Sequence, residues 1–174
     1  MYAYLRLLWM LVRNTFRRRE VFDPKTAYVW KVRPGIADMD VYPEVNNGRH
    51  FVLFDLARYD LAMRIGLFRW VRKTRSAFVV AGSTIRFRHR LRPWRSTQII
   101  TEMVGIDDRF FYFQQRSVQS GRTCSLALLR TAVRRKGAVD PREVLEGLGL
   151  DIEPFMQPWV EDWNRWDNER PWPE

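Results

Sequence analysis

A chain of 174 residues, 46% hydrophobic and 14% aromatic, is long enough to bury one real core and too apolar to be disordered. Its 30 Lys and Arg outweigh 20 Asp and Glu to give +10, so its surface attracts anions: nucleic acid, anionic lipid or the phosphates of coenzyme A. The single cysteine, Cys124, excludes an internal disulfide, suits a reducing compartment and reads as a small core residue on a strand.

Residues 1–19, MYAYLRLLWMLVRNTFRRR, read as an amphipathic helix. Leu5, Leu8, Trp9, Val12 and Phe16 share one face, Arg6, Arg13 and Arg17 another, and Arg17-Arg18-Arg19 suits a helix C-terminus. Three surfaces fit such an apolar face: its own domain, a partner subunit, or a membrane met through basic flanks. The apolar run is shorter than the roughly 18 residues of a spanning helix. Arg6 interrupts it, and no small-residue cleavage site follows, so a signal peptide is not expected. Phe22-Asp23-Pro24 predicts a turn, and residues 26–33 a strand ended by Pro34-Gly35.

The stretch 37–66, ADMDVYPEVNNGRHFVLFDLARYDLAMRIG, organises the rest. Three carboxylates come first, Asp38, Asp40 and Glu44, and then an asparagine pair. Asn46 suits an N-cap because its side-chain oxygen can accept an orphan amide of the first turn, so a helix is expected to start near Asn47. Phe51, Phe54, Ala57, Leu61, Ile65 and Phe68 recur at steps of three and four, one buried face of a helix closing near Gly66 or at Trp70–Lys73. A carboxylate loop thus runs into a helix N-terminus, whose partial positive charge and free N–H groups can hold a carbonyl oxygen or an anion.

Four strand candidates follow, over 77–89, 95–106, 109–119 and 122–134. The links Leu91-Arg92-Pro93, Gly105-Ile106-Asp107-Asp108 and Ser120-Gly121 are turn-like and predict an antiparallel meander. Asp140 and Pro141 open a short helix as N-cap and first residue. Trp159, Trp163, Trp166 and Trp172 suggest a short helix laid on the domain, ending in a loose terminus. One strand, one buried helix and four long strands make an α+β fold with an antiparallel sheet of about five strands. The expected divisions are 1–19, the N-terminal helix; 20–137, the main domain; and 138–174, a helical extension and tail.

The order D-x-D, then N-N-G-R, then D-L-x-R-x-D-L-x-x-R-x-G-L resembles the hotdog-fold acyl-CoA thioesterases related to hydroxybenzoyl-CoA thioesterase. Their usual pattern is D-x-D-x-x-x-H-x-N-N-x-x-Y before a long helix. Asp38, Asp40, Asn46 and Asn47 match as they stand, while Glu44 replaces the usual His, Pro43 a Gly or Leu, and His50 a Tyr. The likeness runs from the leading Tyr-Leu-Arg-Leu-Leu segment to Gln157-Pro158-Trp159. The resemblance implies a hotdog domain, its antiparallel sheet curled around the central helix. It implies pairing into a homodimer or a dimer of dimers with sites at the subunit interface, and hydrolysis of an acyl-CoA or acyl-carrier thioester. It gives Asp40 the role of nucleophile or base, Asp38 that of orienting the loop, and Asn46 and Asn47 those of capping the helix and positioning the thioester. The amides around Asn47 and Gly48 would form the oxyanion site. Glu44 could raise a neighbour's pKa, supply a different base, or mark a site that no longer hydrolyses anything.

Other residues are more ambiguous. His50 falls on the buried face, as a hydrogen-bonded core histidine or a partner in the site. Arg58 needs a buried acidic partner, Asp55 or Asp60, and Asp55 is a weaker alternative base. Arg86, Arg88 and Arg90 alternate along one strand face, solvated or, at a subunit edge, gripping coenzyme A phosphates. With Arg130–Lys136 they form basic strips that match no nucleic-acid module, so nucleic acid is not an expected partner. His50 and His89 lie in different elements and no ligand spacing occurs, so no metal is expected, and no cofactor beyond the coenzyme A of the substrate. The second functional class is a non-catalytic hotdog protein binding an acyl chain or a membrane surface. The expected location is cytoplasmic, with peripheral membrane contact through residues 1–19 left open.

Overall fold

The computed structural model of the chain describes residues 4–15, 23 and 26–171. The expectations placed on Phe16–Arg19, Phe22, Pro24 and Trp172 lie outside these residues. Among the described residues five α-helices and seven strands follow one another: α1 Tyr4–Thr15, β1 Tyr28–Val32, α2 Asn47–Arg64, α3 Leu67–Lys73, β2 Ala77–Phe87, β3 Thr97–Ile106, β4 Phe111–Gln119, β5 Arg122–Arg134, β6 Ala138–Val139, α4 Pro141–Leu148, β7 Phe155–Met156 and α5 Pro158–Glu169. The four long strands end within two residues of their expected bounds, because alternation of β-rich residues marks them. The two-residue β6 and β7 carry no such pattern.

All pairings are antiparallel, in the order β1-β3-β4-β5-β2, with β6 on β5 and β7 on β3. The expected meander therefore holds only for β3–β4–β5. β2 pairs with β5, register Thr84↔Leu128, at the edge opposite β1. Leu91-Arg92-Pro93 is not a hairpin turn but part of a crossover, pinned where Val45 N–H donates to the Leu91 carbonyl (2.8 Å) and Trp94 N–H to that of Pro34 (2.7 Å). A turn signal marks reversal of the chain, not the strand it returns to. The true tight turn is Ser120-Gly121 between β4 and β5, with φ of 52° and 74°, the left-handed pair a two-residue hairpin needs.

The sheet wraps α2, so this helix is buried on more than one side and its hydrophobic pattern is wider than a single stripe. Leu53, Phe54, Leu56, Ala57, Leu61 and Ala62 are buried, as are His50, Arg58 and Asp60. Around its first half pack Val45, Leu91, Ile99, Cys124 and Leu129, and around its second half Ile106, Phe111, Val133, Val144 and Leu145. Phe68 departs from the expectation. Gly66, at φ 84°, breaks the helix after its C-cap Ile65, and Phe68 sits half-exposed on α3. Arg58 finds Asp55 as its acidic partner and also donates to Gln115, whose own amide donates to Phe54 O (3.1 Å) and Thr101 Oγ1 (2.8 Å). Every charge in this buried set is met.

α4 begins as expected, with Asp140 accepting from Arg142 N–H (2.8 Å). It packs on α3 so closely that an alanine Cβ at Gly147 would fall on the Trp70 indole. Alanine in a helix is ordinarily worth up to about 1 kcal/mol over glycine. Here Gly147→Ala should instead destabilise by about 1–3 kcal/mol through overpacking, read as a lower urea midpoint. α5 lies on the outer sheet face, where Val160 is fully buried against Val104, Tyr112 and Leu128. Arg130, counted in a basic strip, instead reaches up to α5: Asp167 at 2.9 Å, Asn164 at 2.8 Å and Asn168 at 2.9 Å.

α1 docks on the domain with its polar side. Arg6 forks onto Asp38 (2.9 and 2.7 Å), Met10 is 2% exposed, and Asn14 donates to Asp60 (2.7 Å). The expected apolar face, Leu5, Leu8, Trp9 and Val12, points to solvent. Two good polar anchors, Arg6 and Asn14, about two turns apart, outweigh the apolar stripe because the domain offers two buried carboxylates there.

Candidate active site

The carboxylate loop is closed by its own backbone. Asn46 N–H donates to Asp38 O (2.9 Å), Asp40 N–H to Glu44 O (3.2 Å), and Met39 bridges Val45. Asp38, 1% exposed, accepts from Gly35 N–H (2.8 Å) as well as from Arg6, so it orients the loop and ties α1 to it. Asp38→Ala should cost about 1–3 kcal/mol, because Arg6 and the Gly35 N–H both lose their buried acceptor, measured as a fall in unfolding free energy at neutral pH. Asp40 Oδ1 accepts from Tyr42 N–H (2.8 Å) and shapes the loop. Glu44 ion-pairs with Arg90 Nε at 3.1 Å.

Asn46 caps α2 as expected, accepting from Gly48 N–H at 2.9 Å. The Gly48 amide is therefore committed to the cap rather than offered to a ligand, and Arg49 N–H goes to Asn46 O (2.8 Å). Among the described residues the Asn47 N–H has no acceptor, and Asn47 lines a cavity of about 180 Å³. The other walls are Glu44, Val45, His50, Phe87, Arg88, His89, Arg90 and Leu91. Asp40 is not among them.

His50 is 3% exposed, with Phe87 edge-on at 5.2 Å. Burial pushes its imidazole pKa down to about 4, so it is neutral at pH 7. Its Nδ1 lies 2.7 Å from Ser125 Oγ, which lies 2.7 Å from Ser117 Oγ. Ser117 Oγ already accepts Ser125 N–H (3.1 Å), and among the described residues the acceptor for its own proton is Ser125 Oγ. With that assignment the Ser125 proton goes to His50 Nδ1 and the ring hydrogen falls on Nε2, in a side chain that lines the cavity. A neutral imidazole becomes a hydrogen-bond donor beside the ligand space.

The three strand arginines do not stay together. Arg88 N–H and His89 N–H both donate to the Cys124 carbonyl (2.8 and 3.1 Å), a bulge that ends alternation after Phe87. Arg88 and Arg90 line the cavity at the α2 N-terminus, whereas Arg86 lines a separate one of about 260 Å³ beside Trp159 and Trp163 of α5. Arg58 lies farther along α2, against an apolar space with Leu61, Phe113 and Leu145. Ser117, Ser125 and Phe87 were not anticipated. The one sequence signal for the two serines is small polar residues at core-facing positions of β4 and β5, directly opposite in register. A larger cleft of about 1,060 Å³ lies between β3 and residues 149–157. Its carboxylates Asp23, Glu102, Asp151 and Glu153 repel an anionic substrate, and no Lys, Arg or His stands among the residues that line it.

A sheet of this order closed round a helix, with a cavity at the helix's first turn, is the hotdog fold. Residues 34–147 match the thioesterase-like superfamily, and the chain belongs to it. Among individual relatives it is similar to Protein THEM6 of Danio rerio, 32% identical over 165 residues, covering 90% of this chain and 80% of that one. It is also 27% identical to Protein THEM6 of Drosophila melanogaster over 82% of this chain and 70% of the other. Among solved structures, the YbaW probable thioesterase from Escherichia coli superposes with a TM-score of 0.64 at 22% identity, covering 70% of this chain and 96% of that one. A 1,4-dihydroxy-2-naphthoyl-CoA thioesterase from Synechocystis does so with 0.62 at 10% identity, covering 71% and 95%. These superpositions establish the fold.

Proposed function

We propose that the chain hydrolyses an acyl thioester, of coenzyme A or a carrier protein, at the first turn of α2. The observation that carries this reading is the juxtaposition in one cavity of a helix N-terminus, a carboxylate and a neutral histidine: Asn47, Glu44 and His50. The thioester carbonyl sits against Asn47 N–H and His50 Nε2–H. Both donors are fixed before the reaction and strengthen as the oxygen gains charge. Glu44, positioned by Arg90, takes a proton from water as the water oxygen bonds to the carbonyl carbon. Collapse of the tetrahedral species breaks the C–S bond, and the departing thiolate takes up the proton held by Glu44, which restores the carboxylate. Arg88 and Arg90 at the mouth suit the phosphates of coenzyme A. Asp40, given the catalytic role by resemblance, holds the loop that presents Glu44.

The outer edge of β2 supports a homodimer. It is 11 residues long, forms one end of the sheet, and leaves Val80 and Phe87 exposed by 47% and 44%. A long apolar edge of this kind favours pairing with a second strand, and Phe87, at its end, already walls the cavity. Pairing there would bring the partner beside each site.

The test is release of free thiol from short, medium and long acyl-CoAs and from an acyl-carrier protein. Turnover of any of them above the buffer rate supports the reading. No turnover by folded protein overturns it in favour of a binding protein without catalysis.

A further inference from the structure

The side of α1 that faces away from the domain is unlike the rest of the surface. Arg6, Met10 and Asn14, four residues apart, form the docked side. Leu5, Leu8, Trp9 and Val12 form the opposite side and are 85%, 59%, 63% and 54% exposed. Four large apolar side chains on one helix face exceed the scattered exposure that ordinary surfaces show. The polar contacts of the docked side fix which way this face points, so it is a permanent feature of the fold.

The charge around the face is one-sided. α1 contains no carboxylate, and Arg13 stacks over Trp9 with its guanidinium 5.2 Å from the ring centre. α3 lies beside α1, where Leu7 and Leu11 share an apolar groove of about 330 Å³ with Tyr59, Phe68, Val71 and Phe78. Along α3 and just after it Arg69, Arg72, Lys73 and Arg75 are exposed. From Leu61 to Thr101 the chain carries no Asp or Glu at all, so none of these cations is neutralised from its own segment.

We propose that α1 lies in the surface of an anionic lipid bilayer. Leu5, Leu8, Trp9 and Val12 enter the headgroup–acyl boundary, and the α3 cations meet the lipid phosphates. Apolar residues on one side, a tryptophan at the boundary and cations at the flank are what an interfacial helix requires. A second copy of the chain suits the face less well: two-fold pairing would set the same cations against each other, with no carboxylates on α1 or α3 to meet them. Among the described residues no helix is long and apolar enough to cross a membrane. The proposal stands apart from hydrolysis, but it would place the α2 cavity near a source of long-chain acyl groups.

The experiment is co-sedimentation of the full chain with vesicles of phosphatidylcholine alone or mixed with phosphatidylglycerol. Wild type should bind the anionic vesicles. Leu8→Ser/Trp9→Ser, at exposed positions that leave the docked side intact, should lose at least tenfold in affinity with an unchanged far-ultraviolet spectrum. Arg69→Ser/Arg72→Ser/Lys73→Ser should lose about fivefold per cation removed on anionic vesicles only. Failure of wild type to bind the anionic vesicles, or equal binding by the Leu8/Trp9 variant, overturns the proposal. So does a Leu8/Trp9 variant whose light-scattering mass halves while vesicle binding persists, which would assign the face to a second copy.

Discussion

Between pH 6.5 and about 4 the protein is expected to lose about 3 kcal/mol of folding stability that a His50→Gln variant keeps. The cause is the burial that holds the His50 imidazole neutral. Above pH 6.5 folded and unfolded chains both carry it uncharged, and the contribution is fully present. Below that pH the unfolded chain binds a proton the folded site refuses, and stability falls by about 1.4 kcal/mol per pH unit. The loss ends near pH 4, where the folded imidazole itself protonates. Asp55, whose pKa is raised by burial against the pull of Arg58, works in the opposite sense, so the two chains must be compared at each pH. Glutamine keeps a partner for Ser125 without titrating. Urea unfolding at half-unit intervals is the measurement, and parallel curves would show that the site accommodates imidazolium. The nitrogen chemical shifts of His50 at pH 7 report the tautomer independently: a protonated Nε2 and bare Nδ1 are expected, and the reverse would make His50 an acceptor toward the cavity.

Glu44→Gln is expected to lower kcat for thioester hydrolysis by about 10²–10³, the range of a lost general base, whereas Asp40→Asn should lose less than about tenfold. The geometry separates the two carboxylates although they lie four residues apart. Glu44 shares the cavity with Asn47 and His50, while Asp40 spends an oxygen on Tyr42 N–H outside it. Glutamine preserves the size of Glu44 and can still accept from Arg90, so the loop should hold its shape. Steady-state rates of both variants decide the matter. Loss in Asp40→Asn with activity retained in Glu44→Gln would return the chemistry to the position the motif implies. In that case the cavity at Asn47 would bind the thioester without supplying its base.

Local chemistry in the sequence determined the central parts of this protein. Asn46 as N-cap, the start of α2 at Asn47, the four long strands, the Asp140–Pro141 helix start and a helical tail over the sheet all follow from capping, periodicity and turn residues within a few positions of each other. The motif from Asp38 to Asn47 identified the hotdog class. What the sequence could not hold is whatever depends on partners far along the chain. Only the folded sheet decides that β2 pairs with β5 and not with its sequence neighbour β3, because the choice depends on where α2 and α3 carry the chain. Only the fold brings Ser117 and Ser125 beneath His50 and thereby sets which nitrogen carries the ring hydrogen. The Cys124 carbonyl ends the alternation of Arg86, Arg88 and Arg90, separating residues that a regular strand would align. The same holds for α1. Its stripe of leucines and tryptophan left open whether its own domain, a partner or a membrane meets it; Asp38 and Asp60 lie where they capture the arginine and asparagine on the other side. Periodicity shows that a helix has two faces; the charges it meets in three dimensions decide which one is turned inward.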